Sequence, residues 1–236
     1  MLNYLSTSTR PDIAFAVHQC ARFCTSPKRS HELAVHRIVR YLKGTRHHGY
    51  ILCPSSSHKN IDCYVDADFT GLWTPSTSQD PLSVKSRTGY VITFAGCPVL
   101  WSSKIWTEIA LSTTEAEYIA MSQAARDLIP MRALLQEFSK TTKLIVGDTF
   151  THSTIFEDNK GCVDLALAPK LWPRTKHFGL KYHLFRSHVA NGSIKIQWIN
   201  SKNQLADIFT KPLSTSTFEY LRFHLLGWWL CIKREC

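Results

Sequence analysis

The sequence predicts an α/β protein in which a mixed five-stranded sheet is flanked by helices and preceded by a small helical segment. Three observations predict this class. Residues 1–50 carry apolar residues at helical spacing, the next part carries three successive strand-like runs, and the rest alternates helical and strand-like patterns. A three-strand meander followed by strand, helix and strand is typical of a mixed sheet with helices on its faces.

The composition supports a folded, basic protein. Of the 236 residues, 44% are hydrophobic and 19% are charged, which suits a packed core and does not suit a disordered chain. The net charge is +10, and residues 1–60 contribute most of it, with nine Lys and Arg against two Asp and Glu. This excess suits a polyanion such as nucleic acid, and it equally suits an ordinary basic surface.

Cysteine usage and the lack of targeting signals indicate a reducing compartment. The eight cysteines form no Cys-X-X-Cys pair and several lie in apolar runs, which predicts buried thiols rather than disulfides or a zinc site. Neither a signal stretch nor an apolar run of membrane-spanning length is visible, so a cytoplasmic location is expected. Asn191-Gly192-Ser193 is therefore interpreted as a turn.

Two helices are predicted at the N-terminus. The first contains Pro11 in its opening turn, and the second runs from near Ser26-Pro27 to a stop at Gly44. The apolar stripe of the second helix comprises Ala34, Val35, Ile38, Val39 and Leu42. Its opposite face is basic, which a nucleic-acid-tracking helix and a solvated helix would share.

The meander is predicted from the runs "IDCYVDADF", "RTGYVITFAG" and "PVLWSSK". A long helix follows in "STTEAEYIAMSQAARDLIPMRALLQEF", with a capping box at Ser112 and Glu115 or at Thr114 and Glu117. We expect Pro130 to kink or break it. The remaining runs predict a strand, two helices, a strand, a short helix and an amphipathic stretch: "STIFEDN", "KGCVDLALA", "TKHFGLKYHLFRSHVA", "SIKIQWI", "NQLADIFTKPL" and "FEYLRFHLLGWW".

Four acidic residues stand where strands meet helices or loops. Asp66 is in the first strand, Glu117 early in the long helix, Asp158 at the end of "STIFED", and Asp207 at the start of the helix after the last strand. Clustered carboxylates need a cation, and two Mg²⁺ ions would suit hydrolysis at phosphorus. Taken singly, each acid is better explained by a helix cap or a surface charge, and only their joint placement favours a functional role.

These motifs, in this order, resemble the C-terminal end of the polyprotein of copia-type long-terminal-repeat retrotransposons. Residues 61–211 resemble its ribonuclease H domain, and residues 3–45 resemble the end of its reverse transcriptase. The predicted divisions are thus 1–50, 61–211 and an amphipathic tail over 212–236. The motifs that carry the resemblance are "YVDADF", "SRTGYV", "WSSK", "ALSTTEAEYIA", "FEDNKG", "RTKHFGLKYHLFR", "QLADIFTKPL" and, before them, "NYLSTSTRPDIAFAVHQCARFCTSP" and "HRIVRYLKGT".

The resemblance implies a ribonuclease H-like fold and an endonuclease that cuts the RNA strand of RNA–DNA hybrids. It implies two Mg²⁺ ions, with Mn²⁺ as a possible substitute, and products with 5′-phosphate and 3′-hydroxyl ends. The implied partner is the palm and fingers of the parent reverse transcriptase. The family's metal-binding and catalytic carboxylates match Asp66, Glu117, Asp158 and Asp207.

Some positions stand apart from the family pattern. Asp68 and Glu115 do not match its essential positions, so Asp68 is interpreted as accessory or surface polarity and Glu115 as a cap partner. Cellular ribonucleases H carry a His in the loop before the last Asp, and "NSKNQLAD" has none.

Contacts to nucleic acid are expected from basic residues on the N-terminal helices, around the meander and before the last strand. They are Arg37, Arg40, Lys43, Arg87, Lys104, Arg174, Lys176 and Lys181. Trp101 and Trp106 are candidates for stacking on a strand, although core packing is the simpler explanation for Trp101. Two alternatives remain open: a catalytically inert nucleic-acid-binding relic, and an unstable remnant whose tail would expose Trp228, Trp229 and Leu230.

Overall fold

A computed structural model describes residues 1–54, 60–70, 84–106, 109–142, 152–168 and 184–228. The helices are α1 Leu2–Ser8, α2 Ala14–Ala21, α3 Arg29–Gly44, α4 Thr113–Thr142, α5 Lys160–Leu167, α6 Arg186–Ala190, α7 Asp207–Thr210 and α8 Thr215–Leu225. The strands are β1 Ile61–Asp68, β2 Arg87–Phe94, β3 Cys97–Ile105, β4 Ser153–Glu157 and β5 Ile194–Trp198.

The five strands form one sheet in the order β3-β2-β1-β4-β5. β2 is antiparallel to both of its neighbours, β1 and β3, whereas β4 runs parallel to both β1 and β5. The meander accounts for the antiparallel half, and the crossovers through α4, α5 and α6 account for the parallel half. The predicted mixed five-stranded sheet is therefore confirmed.

Helices cover both faces of the sheet. On one face, Cys63, Val65 and Ile155 pack against the first half of α4 in the main core. On the other face, Val91 packs against Phe209 of α7 in a second core. Residues alternate between these cores along β1, as expected for a strand buried on both sides.

The N-terminal helices pack on this second face rather than standing free. Ala14 of α2 joins the same core as Val91 and Phe209. The Trp101 indole N–H donates to the Ser6 carbonyl oxygen at 2.7 Å. Trp101 is thus held by packing and by α1, as core packing predicts. Helix α1 itself was absent from the prediction, because its mixed polar sequence has no helical stripe.

The apolar stripe predicted for α3 is only partly buried. Ile38 is 6% exposed and contacts Ile13 and Val17, but Val39 is 48% exposed. Ala34 is exposed as well. Only part of the stripe is covered, since within the described residues the small N-terminal core contacts α3 around Ile38, Tyr41 and Leu42.

The C-terminal stretch also packs on the body of the protein. Leu221, Leu225 and Leu226 are fully buried. The Trp228 indole N–H donates to the Gly49 carbonyl oxygen at 2.7 Å, so the expectation that Trp228 would be freely exposed is wrong. Trp229 and Leu230 lie outside the described residues.

Other local predictions can be compared directly with the structure. Of the predicted kink or break at Pro130, the break does not occur, because α4 continues through this residue, and the kink stays a prediction. Pro130 and Arg126, whose carbonyl oxygen loses its donor, are both exposed to water. Gly192 has φ +75°, which supports the predicted turn.

The cysteines of the described residues are free thiols. None of the helices in this part of the chain has the length and apolar character needed to cross a bilayer.

Candidate active site

The four predicted carboxylates lie together where β1 and β4 end, and a fifth, Glu157, joins them. Their oxygens form two groups, and within each group the oxygens lie within 4.8 Å of one another. Asp66, Asp158 and Asp207 form the first group; Glu117, Glu157 and Asp158 form the second. Asp158 belongs to both groups and therefore connects them.

Strand pairing brings Asp66 and Asp158 to the same end of the sheet. β1 and β4 are parallel, with Tyr64 opposite Phe156, so their carboxyl ends finish side by side. The next residue, Asn159, is the cap of α5 and accepts a hydrogen bond from the Cys162 N–H at 3.0 Å. Because Asn159 supplies the cap, the Asp158 carboxylate remains available to the site.

Gln204 fixes the segment that leads into α7. Its side chain is fully buried, and its amide nitrogen donates to the carbonyl oxygens of Val65 at 2.9 Å and Phe156 at 3.3 Å. These bonds connect the ends of β1 and β4 to the start of α7, where Asp207 lies. No local pattern predicted this role, because both acceptors are main-chain atoms distant in sequence.

Gly89 allows α7 to approach the sheet closely. It pairs with Asp66 across β1 and β2. A Cβ at this position would lie 2.5 Å from Thr210 Cγ2 and 2.7 Å from Phe209 Cβ, which is closer than side chains can approach. The close approach lets the Thr210 hydroxyl donate to the Asp66 carboxylate. The glycine of "SRTGYV" thus has a steric role in positioning the site.

Lys211 places one ammonium group beside the first carboxylate group. Its Nζ lies 3.0 Å from Asp207 Oδ1 and 3.5 Å from Asp66 Oδ1. Burial lowers the pKa of Lys211, but the two carboxylates outweigh it and the pKa is raised, so the side chain is charged. A single positive charge does not balance five carboxylates.

The second group contains the most deeply buried acids. Glu117 is 4% exposed and Glu157 is 0% exposed. Burial raises the pKa of both acids well above the usual range. The negative charge of Glu157 raises the pKa of Glu117 further, and the charges of Asp66 and Asp158 raise the pKa of Glu157. Among the described residues, Oε2 of each has no hydrogen-bond partner. Two buried, unpartnered carboxylate oxygens fit a bound cation.

The pKa values of Asp66 and Asp207 are raised by burial and lowered by Lys211. Burial, followed by the charge of Asp66, raises the pKa of Asp207 to about 7 against the opposing effect of Lys211. Burial also raises the pKa of Asp66, although Lys211 and Thr210 counteract it. The cluster therefore holds protons at pH values where free carboxylates have lost them.

The two neighbouring acids lie outside both groups. Glu115 accepts a hydrogen bond from the Leu111 N–H at 2.7 Å, and Ser112 accepts one from the Glu115 N–H at 3.1 Å. The first of the two predicted caps is therefore the one that forms. Asp68 is half-buried beside Asp66 and is not part of either group.

Glu157 is the residue that the sequence analysis missed. It precedes Asp158, and along β4 it shares a face with Ile155, which packs against α4 in the main core. Strand alternation could have placed Glu157 on the α4 side, towards Glu117. The family motif matches Asp158, the next residue, so the motif gives no signal for Glu157.

The predicted nucleic-acid contacts divide into three sets. Arg37, Arg40 and Lys43 are exposed along α3, and Lys104 is exposed near the end of β3. Arg174, Lys176 and Lys181 lie outside the described residues. Arg87 is buried.

The prediction that Arg87 contacts nucleic acid is wrong. It is 3% exposed, and its Nη1 lies 3.0 Å from His18 Nδ1 and donates to Ser103 Oγ at 2.9 Å. Its guanidinium also lies over the Phe15 ring. Arg87 therefore joins α2 to the sheet and cannot reach a nucleic acid. Trp106 is likewise buried, with its N–H donating to Thr88, which excludes it from stacking on a strand.

A groove of about 770 Å³ runs between the N-terminal helices and α7 and α8. Arg37 of α3 and Lys211 both line it, and so does Arg222. Lys211, which contacts Asp66 and Asp207, therefore lies at one side of this groove. One residue of the basic face of α3, Arg37, therefore lines the same groove as the lysine that contacts Asp66 and Asp207.

Sequence comparison relates the chain to transposon polyproteins. It is 37% identical over 218 residues to the retrovirus-related Pol polyprotein from transposon TNT 1-94 of Nicotiana tabacum, covering 92% of this chain and 15% of that protein. It is 33% identical over 219 residues to the corresponding polyprotein from transposon RE1 of Arabidopsis thaliana, covering 92% and 14%. The chain thus spans about a seventh of these relatives. No family model matches it.

Solved structures that resemble the chain include ribonuclease H domains. One is LC11-RNase H1 in complex with an RNA/DNA hybrid, at 16% identity and a TM-score of 0.41, covering 64% of this chain and 94% of that one. Another is the N-terminal RNase H domain of a Mycobacterium tuberculosis protein, at 12% identity and a TM-score of 0.42, covering 69% and 95%. The chain itself has a mixed five-stranded sheet in the order β3-β2-β1-β4-β5 with helices on both faces, as its sequence predicts.

Proposed function

We propose that this chain, a relative of a segment of transposon Pol polyproteins, is a Mg²⁺-dependent endonuclease that hydrolyses the RNA strand of RNA–DNA hybrids. Its catalytic and metal-binding carboxylates are Asp66, Glu117, Asp158 and Asp207. The observation that carries the proposal is the pair of adjacent three-carboxylate groups that share Asp158. Two adjacent cation sites with a common ligand are what an in-line displacement at phosphorus needs.

The donor set fits Mg²⁺, with Mn²⁺ as a substitute, because every candidate ligand is a carboxylate oxygen. When bound, two such ions would activate a water and neutralise charge on the leaving oxygen. The protein supplies the positions: Gln204 and Gly89 set α7 against β1, and Thr210 orients Asp66. Lys211 balances part of the negative charge next to Asp66 and Asp207.

Binding of the hybrid is assigned to the exposed face of α3, with Arg37, Arg40 and Lys43, and to Lys104. These side chains would contact phosphates, so binding should depend strongly on salt and little on base sequence. The same role for Arg174, Lys176 and Lys181 stays a prediction, as does a cytoplasmic location. The relatives are far longer than this chain, and we propose the polymerase part of such a polyprotein, its palm and fingers, as the partner that presents the hybrid.

The test is cleavage of an RNA–DNA hybrid labelled on the RNA strand, by the wild-type chain and by Asp158→Asn, in Mg²⁺ and in EDTA. We expect the wild type to cut only in Mg²⁺. Asp158→Asn should reduce the cleavage rate by more than about 100-fold, because it removes a ligand common to both groups. Loss of a residue that only hydrogen-bonds to a metal ligand already costs about 10–100-fold.

Asp164→Asn is the matched control, since Asp164 is an exposed carboxylate on α5 outside both groups. It should cut as fast as the wild type. If the wild type binds the hybrid but leaves the RNA intact in Mg²⁺ and in Mn²⁺, the nuclease proposal is wrong and the inert binding relic replaces it.

A further inference from the structure

We propose that Glu157 is a metal ligand, so that Glu117, Glu157 and Asp158 hold a divalent cation before any nucleic acid binds. The inference deepens the proposed function by assigning a fifth carboxylate to the metal centre. It concerns a residue outside the four that the sequence matched. Its evidence is the position and the unused hydrogen-bonding capacity of the Glu157 side chain.

The two oxygens of Glu157 are used differently. Oε1 accepts a hydrogen bond from the Asn159 N–H at 3.0 Å, which holds the turn between β4 and α5. Oε2 is buried and has no partner among the described residues. A structural role in the turn explains the first oxygen and leaves the second unexplained.

The unpartnered oxygen lies beside an equivalent one. Glu117 Oε2 is also buried without a partner, and the oxygens of this group lie within 4.8 Å of each other and of an Asp158 oxygen. Three carboxylates at this separation repel one another unless a cation lies among them. Lys211 is no such cation, because its contacts are with Asp66 and Asp207.

A group of three protein carboxylates has a consequence that can be measured. Because no phosphate oxygen is needed to complete it, it should bind a hard divalent cation in the absence of nucleic acid. The first group shares Asp158 but already has the Lys211 ammonium in contact, so we expect it to bind a second ion more weakly.

The experiment is calorimetric titration of Mn²⁺ into the nucleic-acid-free chain, for the wild type and Glu157→Gln. The glutamine keeps an oxygen for the Asn159 N–H and replaces the free oxygen with an amide that cannot bind a cation. We expect the affinity of the tightest Mn²⁺ site to fall at least about tenfold, the lower limit for disturbing a metal's surroundings. Thermal melting in EDTA should show Glu157→Gln folded at or above the wild-type midpoint, since it removes a buried negative charge.

Asp68→Asn is the matched control, because it removes a nearby carboxylate that belongs to neither group. Its Mn²⁺ affinity should change less than about threefold, as expected for charge acting at a distance through partly exposed surroundings. An equal, small change in both variants would overturn the proposal. If Glu157→Gln does not fold, Glu157→Asp serves instead: it keeps the charge but shortens the side chain, and unchanged Mn²⁺ affinity would likewise overturn the proposal.

Hybrid cleavage by the wild type separates the two proposals. Cleavage together with an unchanged Mn²⁺ affinity in Glu157→Gln leaves the nuclease intact and removes Glu157 from the metal centre. A Glu157-dependent Mn²⁺ site in a chain that never cuts the hybrid keeps the metal site and removes the nuclease.

Discussion

Two regions of this protein bury carboxylates, and they treat them in opposite ways. In the N-terminal helices, Asp12 is 4% exposed and both its oxygens are bound: Arg10 donates from Nε at 2.9 Å and from Nη2 at 2.7 Å, and the Tyr41 hydroxyl donates as well. At the end of the sheet, Glu117 and Glu157 are as deeply buried, and each keeps an oxygen without a partner within the described residues.

The contrast separates a structural charge from a functional one. The Asp12 carboxylate is paired with the Arg10 guanidinium, so it needs no ligand from outside the chain to balance its charge. The carboxylate cluster has five acids against Lys211 and remains incomplete until something cationic binds. Burial alone does not distinguish the two regions; the balance of charge and hydrogen bonds does.

The largest expected effect comes from breaking the complete site. Asp12→Asn should lower the free energy of unfolding by about 3–5 kcal/mol, because it leaves the Arg10 guanidinium buried without its charge partner. The effect should be the same with and without Mg²⁺, since Asp12 belongs to neither carboxylate group. Urea unfolding followed by circular dichroism measures it.

Glu32→Gln provides the matched control in the same part of the fold. Glu32 is an exposed acid of α3, and its contact with His36 is 3.8 Å long. Its removal should change stability by less than about 0.5 kcal/mol. Equal effects of the two substitutions would mean that the Asp12 site contributes nothing beyond an ordinary surface charge.

The sequence predicted which acidic residues form the cluster, but not the buried residues that pack around it. The four matched acids could be predicted because they lie where predicted strands meet helices or loops, and such boundaries follow from local sequence patterns. These acids are Asp66, Glu117, Asp158 and Asp207. The burial of Arg87 was not predictable in this way, since it depends on α2 packing against β2 and β3, which no local pattern specifies. Gln204 is a second case, because its acceptors are main-chain atoms of two distant strands.

The steric support of the cluster should give the next largest effect. Gly89→Ala places a methyl group against Thr210 and Phe209, so α7 must move away from β1 and carry Asp207 from Asp66. We expect a loss of about 1–3 kcal/mol, typical of overpacking, together with weaker Mn²⁺ binding. Melting curves and calorimetry on one preparation measure both quantities.

Gly44→Ala is the control for the change of residue type. A Cβ at Gly44 meets nothing within 4 Å, so stability should stay the same or rise slightly. Loss of stability in Gly89→Ala with full Mn²⁺ affinity would show that α7 can move without disturbing the carboxylates, which would weaken the positional role given to Gly89.

The smallest expected effect has the opposite sign and tests the incomplete site directly. In EDTA at pH 8, Glu117→Gln should raise the free energy of unfolding by about 1 kcal/mol, because folding no longer has to protonate this acid or bury its charge without a partner. The pKa of Glu117 is raised in the folded protein above its ordinary value of 4.5. The folded state therefore holds a proton that the unfolded chain releases, and wild-type stability falls as the pH rises above about 4.5.

That linkage predicts how the gain from Glu117→Gln should vary. It should be near zero well below pH 4.5, where folded and unfolded wild type are both largely protonated at this residue, and should grow as the pH rises towards 8. Saturating Mg²⁺ should cancel or reverse it, since the ion stabilises the folded wild type through Glu117 and cannot do so through glutamine. Urea titrations at three pH values, with EDTA and with Mg²⁺, provide the comparison. A loss of stability in EDTA would show that Glu117 has a counter-charge within the chain, as Asp12 has, and the distinction between the two regions would fail.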